Sequence, residues 1–109
     1  MEFEDYQAQS RKTAVYPDLG SNVTYPTLGL ANEAGEVAGK VKKVFRDHAG
    51  VFSEDQKELI ASEIGDVLWY CAQLATELGI SFDDIAKRNI EKLFSRMDRG
   101  VLQGSGDER

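Results

Sequence analysis

The sequence has 109 residues, enough for one domain with a modest core. Its 41% apolar and 29% charged residues fit a soluble globular protein, and no apolar run nears the roughly 20 residues that cross a bilayer, so no membrane partner is expected. The net charge of −6 excludes wrapping of a nucleic acid polymer, which needs a basic face, but leaves room for a single nucleotide where a metal supplies positive charge.

The first residues, Met1-Glu2-Phe3-Glu4-Asp5, are acidic and lack the apolar stretch of a signal peptide. The single cysteine, Cys71, allows no internal disulfide, so a cytoplasmic location is expected. A first helix is predicted from Phe3 to Ala14, followed by the turn-rich segment Tyr16–Asn22. A second runs from Tyr25 to about Arg46, with Pro26 in its first turn and Lys40, Lys42, Lys43 and Arg46 complementing the negative end of its dipole. A third opens at Ser53, where Ser53-Glu54-Asp55-Gln56 has capping-box spacing, and runs to Leu78, with Gly79 as its stop. A fourth runs from Ser81 to about Met97, and the tail 103–109 is expected to be mobile. The plan is a single all-α domain over residues 1–109, a bundle-like arrangement of four helices with its core in about 25–100.

On helical wheels at about 100° per residue, the third helix gathers Leu59, Ile60, Val67, Cys71, Leu74 and Leu78 into an apolar arc. Glu63 falls inside that arc, and Asp66 and Tyr70 lie on its edge. In the second helix Glu33 sits at the margin of the apolar arc, with Glu36 and Lys40 just beyond. Two helices therefore each offer carboxylates one turn apart near the polar–apolar border. Desolvating an unpaired carboxylate costs several kcal/mol, and four gathered acids repel or take up protons. A hard divalent cation resolves this, and oxygen ligands suit Mg²⁺ or Mn²⁺. The plain alternative is a pair of wet acidic edges. A ferritin-like di-iron site is excluded, because it needs Glu-x-x-His pairs and the only histidine, His48, lies in a predicted loop.

The run Leu28-Gly29-Leu30-Ala31-Asn32-Glu33-Ala34-Gly35-Glu36-Val37, followed by Glu63-Ile64-Gly65-Asp66-Val67-Leu68-Trp69-Tyr70, resembles the MazG-type all-α nucleoside triphosphate pyrophosphohydrolases. Asn89-x-x-Lys92 fits the same pattern, and the resemblance covers roughly residues 25–100. It implies that Glu33, Glu36, Glu63 and Asp66 are Mg²⁺ ligands, that Glu36 and Glu63 are catalytic, and that Glu36 orients or deprotonates a water that attacks the α-phosphorus of a nucleoside triphosphate. It further implies that Tyr70 lines the base pocket and that Asn89 and Lys92 meet sugar or phosphates. Arg96 and Lys40 are added as candidate substrate contacts from their positions on the fourth and second helices. The family's role is nucleotide house-cleaning or pool control, and its members assemble as dimers or tetramers.

Each residue also has a plainer role: Tyr70 as a core-edge aromatic, Asn89 as a satisfied core amide, Lys40, Lys92 and Arg96 as surface charges, and Cys71 as a small apolar core residue. Trp69 points away from the apolar arc and suggests a homo-oligomer contact, unless the N-terminal segment covers it. The competing functions are a dUTP- or dCTP-preferring or phosphoribosyl-ATP pyrophosphohydrolase of the same fold, and a non-catalytic helical interaction module.

Overall fold

The computed structural model describes residues 1–109. Its elements are α1 (Phe3–Arg11), α2 (Thr24–Asp47), α3 (Glu54–Glu77) and α4 (Phe82–Asp98), with no strand. The all-α class and the order of helices are as the sequence predicts.

Local chemistry sets the boundaries. Glu2 caps α1 by a reciprocal box with Asp5, whose carboxylate accepts the Glu2 N–H at 3.1 Å. The helix ends at Arg11, short of the expected Ala14. The Thr13 hydroxyl donates to the Ser10 carbonyl at 2.7 Å, a local bond that competes with continued helix. Ahead of α2, the Asn22 side chain accepts the Tyr25 N–H at 2.9 Å. The box at the start of α3 forms as its spacing predicts: the Ser53 hydroxyl accepts the Gln56 N–H, and the Gln56 amide oxygen accepts the Ser53 N–H. Gly79 adopts φ +69°, and the Ile80 N–H returns to the Ala75 carbonyl at 2.9 Å, closing α3.

Antiparallel α2 and α3 form the main hairpin, α1 lies across α3 and α4, and α4 touches α1 and α3 but not α2. The helices thus form an open arrangement. The radius of gyration is 16.8 Å, against about 13 Å for a compact domain of this size. Only ten residues are buried. The core is Ala72, Ala75 and Phe82, packed on by Tyr6, Leu68 and Cys71.

A second, polar centre docks the N-terminal segment. The Glu77 carboxylate has no exposed side-chain surface. It accepts the backbone N–H groups of Gly20 and Asn22 at 3.0 and 2.8 Å and the Arg11 guanidinium at 2.9 Å. Arg11 also donates to the Tyr16 hydroxyl and to the Gln73 amide oxygen. Gln73, fully buried, donates to the Ser10 hydroxyl at 3.0 Å. Burial pushes the Glu77 carboxyl upward, but the donors from Asn22, Arg11 and Gly20 outweigh it and hold it below its ordinary value.

Of the two readings of Trp69, the structure bears out cover by the N-terminal segment. Its indole N–H donates to the Thr13 hydroxyl at 2.8 Å, and Tyr16 packs edge-on at 6.4 Å. The wheel placed it away from the arc correctly, but the N-terminal segment fills that side.

Candidate functional site

The third turn of α2 and the middle of α3 face each other because these helices run antiparallel in the hairpin. Glu33 comes from α2, and Glu63 and Asp66 come from α3 one turn apart. One carboxylate oxygen from each lies within 4.8 Å of the others. Glu33 and Glu63 are half-buried and Asp66 is exposed. Glu36, on the next turn of α2, stands outside this group but still acts on it by charge.

Crowding shows in the protonation of Glu33. Partial burial raises its carboxyl first; a hydrogen bond with the Glu63 carboxyl and the charges of Asp66, Glu63 and Glu36 add to the rise. Against three acids there is one basic partner: the Lys40 ammonium lies 3.4 Å from Glu63. Three oxygen donors so placed, short of positive charge, match the donor set of a hard divalent cation.

An aromatic wall adjoins the acids. Tyr70 meets Trp69 edge-on at 5.0 Å and Tyr25 at 6.3 Å, and Tyr25 stacks on Tyr16 at 4.8 Å. Burial raises the Tyr70 hydroxyl most, with further contributions from Tyr25, Glu33 and Asp66, so it remains a neutral phenol near neutrality. Thr13, Trp69 and Tyr70 enclose, with Glu33 and Asp66, a cleft of about 320 Å³. That volume falls within the roughly 300–1,000 Å³ typical of small-molecule sites.

Of the residues singled out in the sequence, the structure gathers Glu33, Glu63, Asp66, Tyr70 and Lys40 at one place. Asn89 and Lys92 are exposed on α4, which makes no contact with α2. Arg96 is buried elsewhere: its guanidinium donates to the Asp107 carbonyl at 2.6 Å, beneath the folded-back C-terminal tail. Thr13 was not legible as part of the site. Its sole sequence signal was a hydroxyl residue within the predicted first helix, and its role depends on where that helix stops.

Residues 24–101 match the MazG nucleotide pyrophosphohydrolase domain, a span that contains all the acids and most of the aromatic wall. The chain is 46% identical to the Gene 37 protein of Mycobacterium phage L5 over 114 aligned positions covering the whole of both chains. It is 35% identical to the uncharacterized protein YvdC of Bacillus subtilis (strain 168) over 74 positions, 63% of this chain and 70% of that one. No solved structure matches it. With its signature acids converging from two helices and its domain match spanning most of the sequence, the chain belongs to the MazG nucleotide pyrophosphohydrolase family.

Proposed function

We propose that this protein hydrolyses a nucleoside triphosphate to the monophosphate and pyrophosphate, with Mg²⁺, or Mn²⁺ in its place, held by Glu33, Glu63 and Asp66 and with Glu36 alongside. The observation that carries this is the convergence of three carboxylate oxygens within 4.8 Å, next to an aromatic cleft. The cation, when bound, supplies positive charge to the phosphate oxygens, where charge builds in phosphoryl transfer.

The chain's own groups do the rest. Trp69 and Tyr70 offer ring faces and edges to a base, and the neutral Tyr70 hydroxyl keeps negative charge away from the phosphates. Glu36 is exposed and one turn from Glu33, which leaves it free to accept a proton from a water beside the acid cluster. Water attack at the α-phosphorus breaks the bond to the bridging oxygen, and pyrophosphate leaves with that oxygen.

The working form is a homo-oligomer. Leaving Ile90, Phe94 and Met97 on α4 at 51%, 56% and 52% exposure is unfavourable for a lone chain. These residues repeat at helical spacing and make one apolar stripe. A second copy covering it would also give Asn89 and Lys92 a route to a neighbouring acid cluster, which their own chain does not provide.

The test is turnover of a panel of ribo- and deoxynucleoside triphosphates in heavy-oxygen water. The expected products are pyrophosphate and a monophosphate carrying the label. Release of orthophosphate, or label in pyrophosphate alone, would rule out α-phosphorus attack.

A further inference from the structure

The basic end of the α2–α3 hairpin holds a second cavity, about 170 Å³, lined by Lys40, Lys43, His48 and Gln56 together with the apolar Val44, Leu59 and Ile60. It is too small for the roughly 300–1,000 Å³ of a drug-sized ligand, while a compact anion would fit. Its polar lining consists of donors on long or ring side chains. The two lysines stand one turn apart on the same face of α2. Neither Lys43 nor His48 forms an ion pair, although the chain carries 19 acids against 13 lysines and arginines. Complementing the helix dipole would explain basic residues anywhere around the last turns of α2. It does not explain why two of them line one cavity with the nearby histidine.

The cavity is linked to the acid cluster through one residue, Lys40. Lys40 lines it and pairs with Glu63; Glu63 stands with Glu33 and Asp66; and those two line the aromatic cleft with Trp69 and Tyr70. Along the hairpin the side chains therefore pass in order from rings, through carboxylates, to lysines. From Glu33 to Lys40 is about 10 Å along α2, and to Lys43 about 15 Å, at a rise of about 1.5 Å per residue. A nucleoside triphosphate has the same order of parts: a flat base, a metal-binding phosphate chain and a distal anionic end.

We infer that the cavity of Lys40, Lys43, His48 and Gln56 is a subsite for the distal diphosphate of the substrate, and that it retains inorganic pyrophosphate as the product. This rests on the proposed pyrophosphohydrolase activity and adds a direction to it. The base lies toward the α1 side of the hairpin and the leaving group toward the α2–α3 turn. Lys43 and His48 would then contact the departing anion, where a cation lowers the cost of the charge that collects on it.

The experiment measures binding of inorganic pyrophosphate by calorimetry in the presence of Mg²⁺. It compares the full-length protein with Lys43→Ala, His48→Ala, and Lys42→Ala as a charge-matched control outside the cavity. The same proteins are assayed for product inhibition by pyrophosphate and by nucleoside monophosphate. Lys43→Ala is expected to weaken pyrophosphate binding about tenfold, the loss of one charge-assisted contact, and His48→Ala to weaken it as well. Both should leave inhibition by the monophosphate in place, and Lys42→Ala should match the wild type. All three side chains are exposed, so folding is not at stake. Equal pyrophosphate affinity in all four proteins would overturn the subsite, as would equal losses in Lys42→Ala and Lys43→Ala. Selective loss in Lys43→Ala from a wild type that turns over no triphosphate would uphold the anion subsite and instead defeat the proposed activity.

Discussion

The ring of Tyr70 lies directly over Gly29, in the space a Cβ at that position would need. Glycine inside a helix costs about 1 kcal/mol relative to alanine, and here the close approach requires it. The contact sets the ring of Tyr70 against α2 and, through it, the wall of the aromatic cleft. Gly29→Ala should destabilise the protein by about 1–3 kcal/mol through overpacking. In a Tyr70→Ala background the same change should be neutral or stabilising, because only the helix propensity remains. Chemical denaturation of the four proteins in the cycle measures this; additive effects would mean that Tyr70 does not need the gap.

Protonation of the acid cluster gives a pH signature with a definite sign. Glu33 is raised above the ordinary glutamate value of 4.5 in the folded state, so the folded protein binds its proton more tightly than the unfolded chain. Without metal, stability should rise as pH falls from that raised value toward 4.5. Glu77 behaves oppositely. Held below 4.5, it contributes stability that is fully present above that pH and lost as pH falls further through its folded value. Thermal melts of metal-free protein across acid pH should show the rise vanish in Glu33→Gln and the low-pH loss shrink in Glu77→Gln. An unchanged profile in both variants would contradict these assignments.

Glu77 is also where the N-terminal segment is fastened. Glu77→Gln keeps the shape but loses the charge that binds Arg11 and two backbone N–H groups. The expected result is a Tm lower by several degrees, and faster hydrogen exchange at Gly20 and Asn22 than in α3. Because that segment covers Trp69, its fluorescence should report the loosening. A variant with wild-type exchange at Gly20 would show that the segment docks by its aromatic contacts alone.

Much of this was legible in the sequence, for identifiable reasons. Ser53 and Gln56 announce the start of α3 because a capping box is a local signal with fixed spacing. Glu63 stood out as an acid in an apolar arc, and it does face Glu33 across the hairpin. Trp69 was read from one helix, whereas its partner Thr13 comes from a segment 56 residues away. Glu77 gave no signal, since an acid near a helix end is ordinary and its three donors arrive from elsewhere in the chain. The positions of Asn89 and Lys92 on α4 follow from the turn at Gly79, and no helical wheel contains that information.

The exposed stripe on α4 yields a prediction about assembly. Phe94→Glu should shift the protein toward monomer in analytical ultracentrifugation while leaving its helical circular dichroism unchanged. A central aromatic anchor of an interface is worth about 2 kcal/mol or more, enough to move a micromolar assembly apart. If the wild type is itself monomeric at working concentrations, the homo-oligomer is wrong.

Pyrophosphate release should depend on a cation held by Glu33, Glu63 and Asp66. The direct measurement is pyrophosphate release by wild type and Glu63→Gln across a Mg²⁺ titration, with Tm followed in the same samples. Wild type should need Mg²⁺ and gain stability with it, by about 2.7 kcal/mol at a hundred times the Kd. Glu63→Gln should remain helical but show neither the turnover nor the Mg²⁺-linked gain. Wild-type turnover that persists in EDTA, or a folded Glu63→Gln that releases pyrophosphate at the wild-type rate, would contradict that dependence.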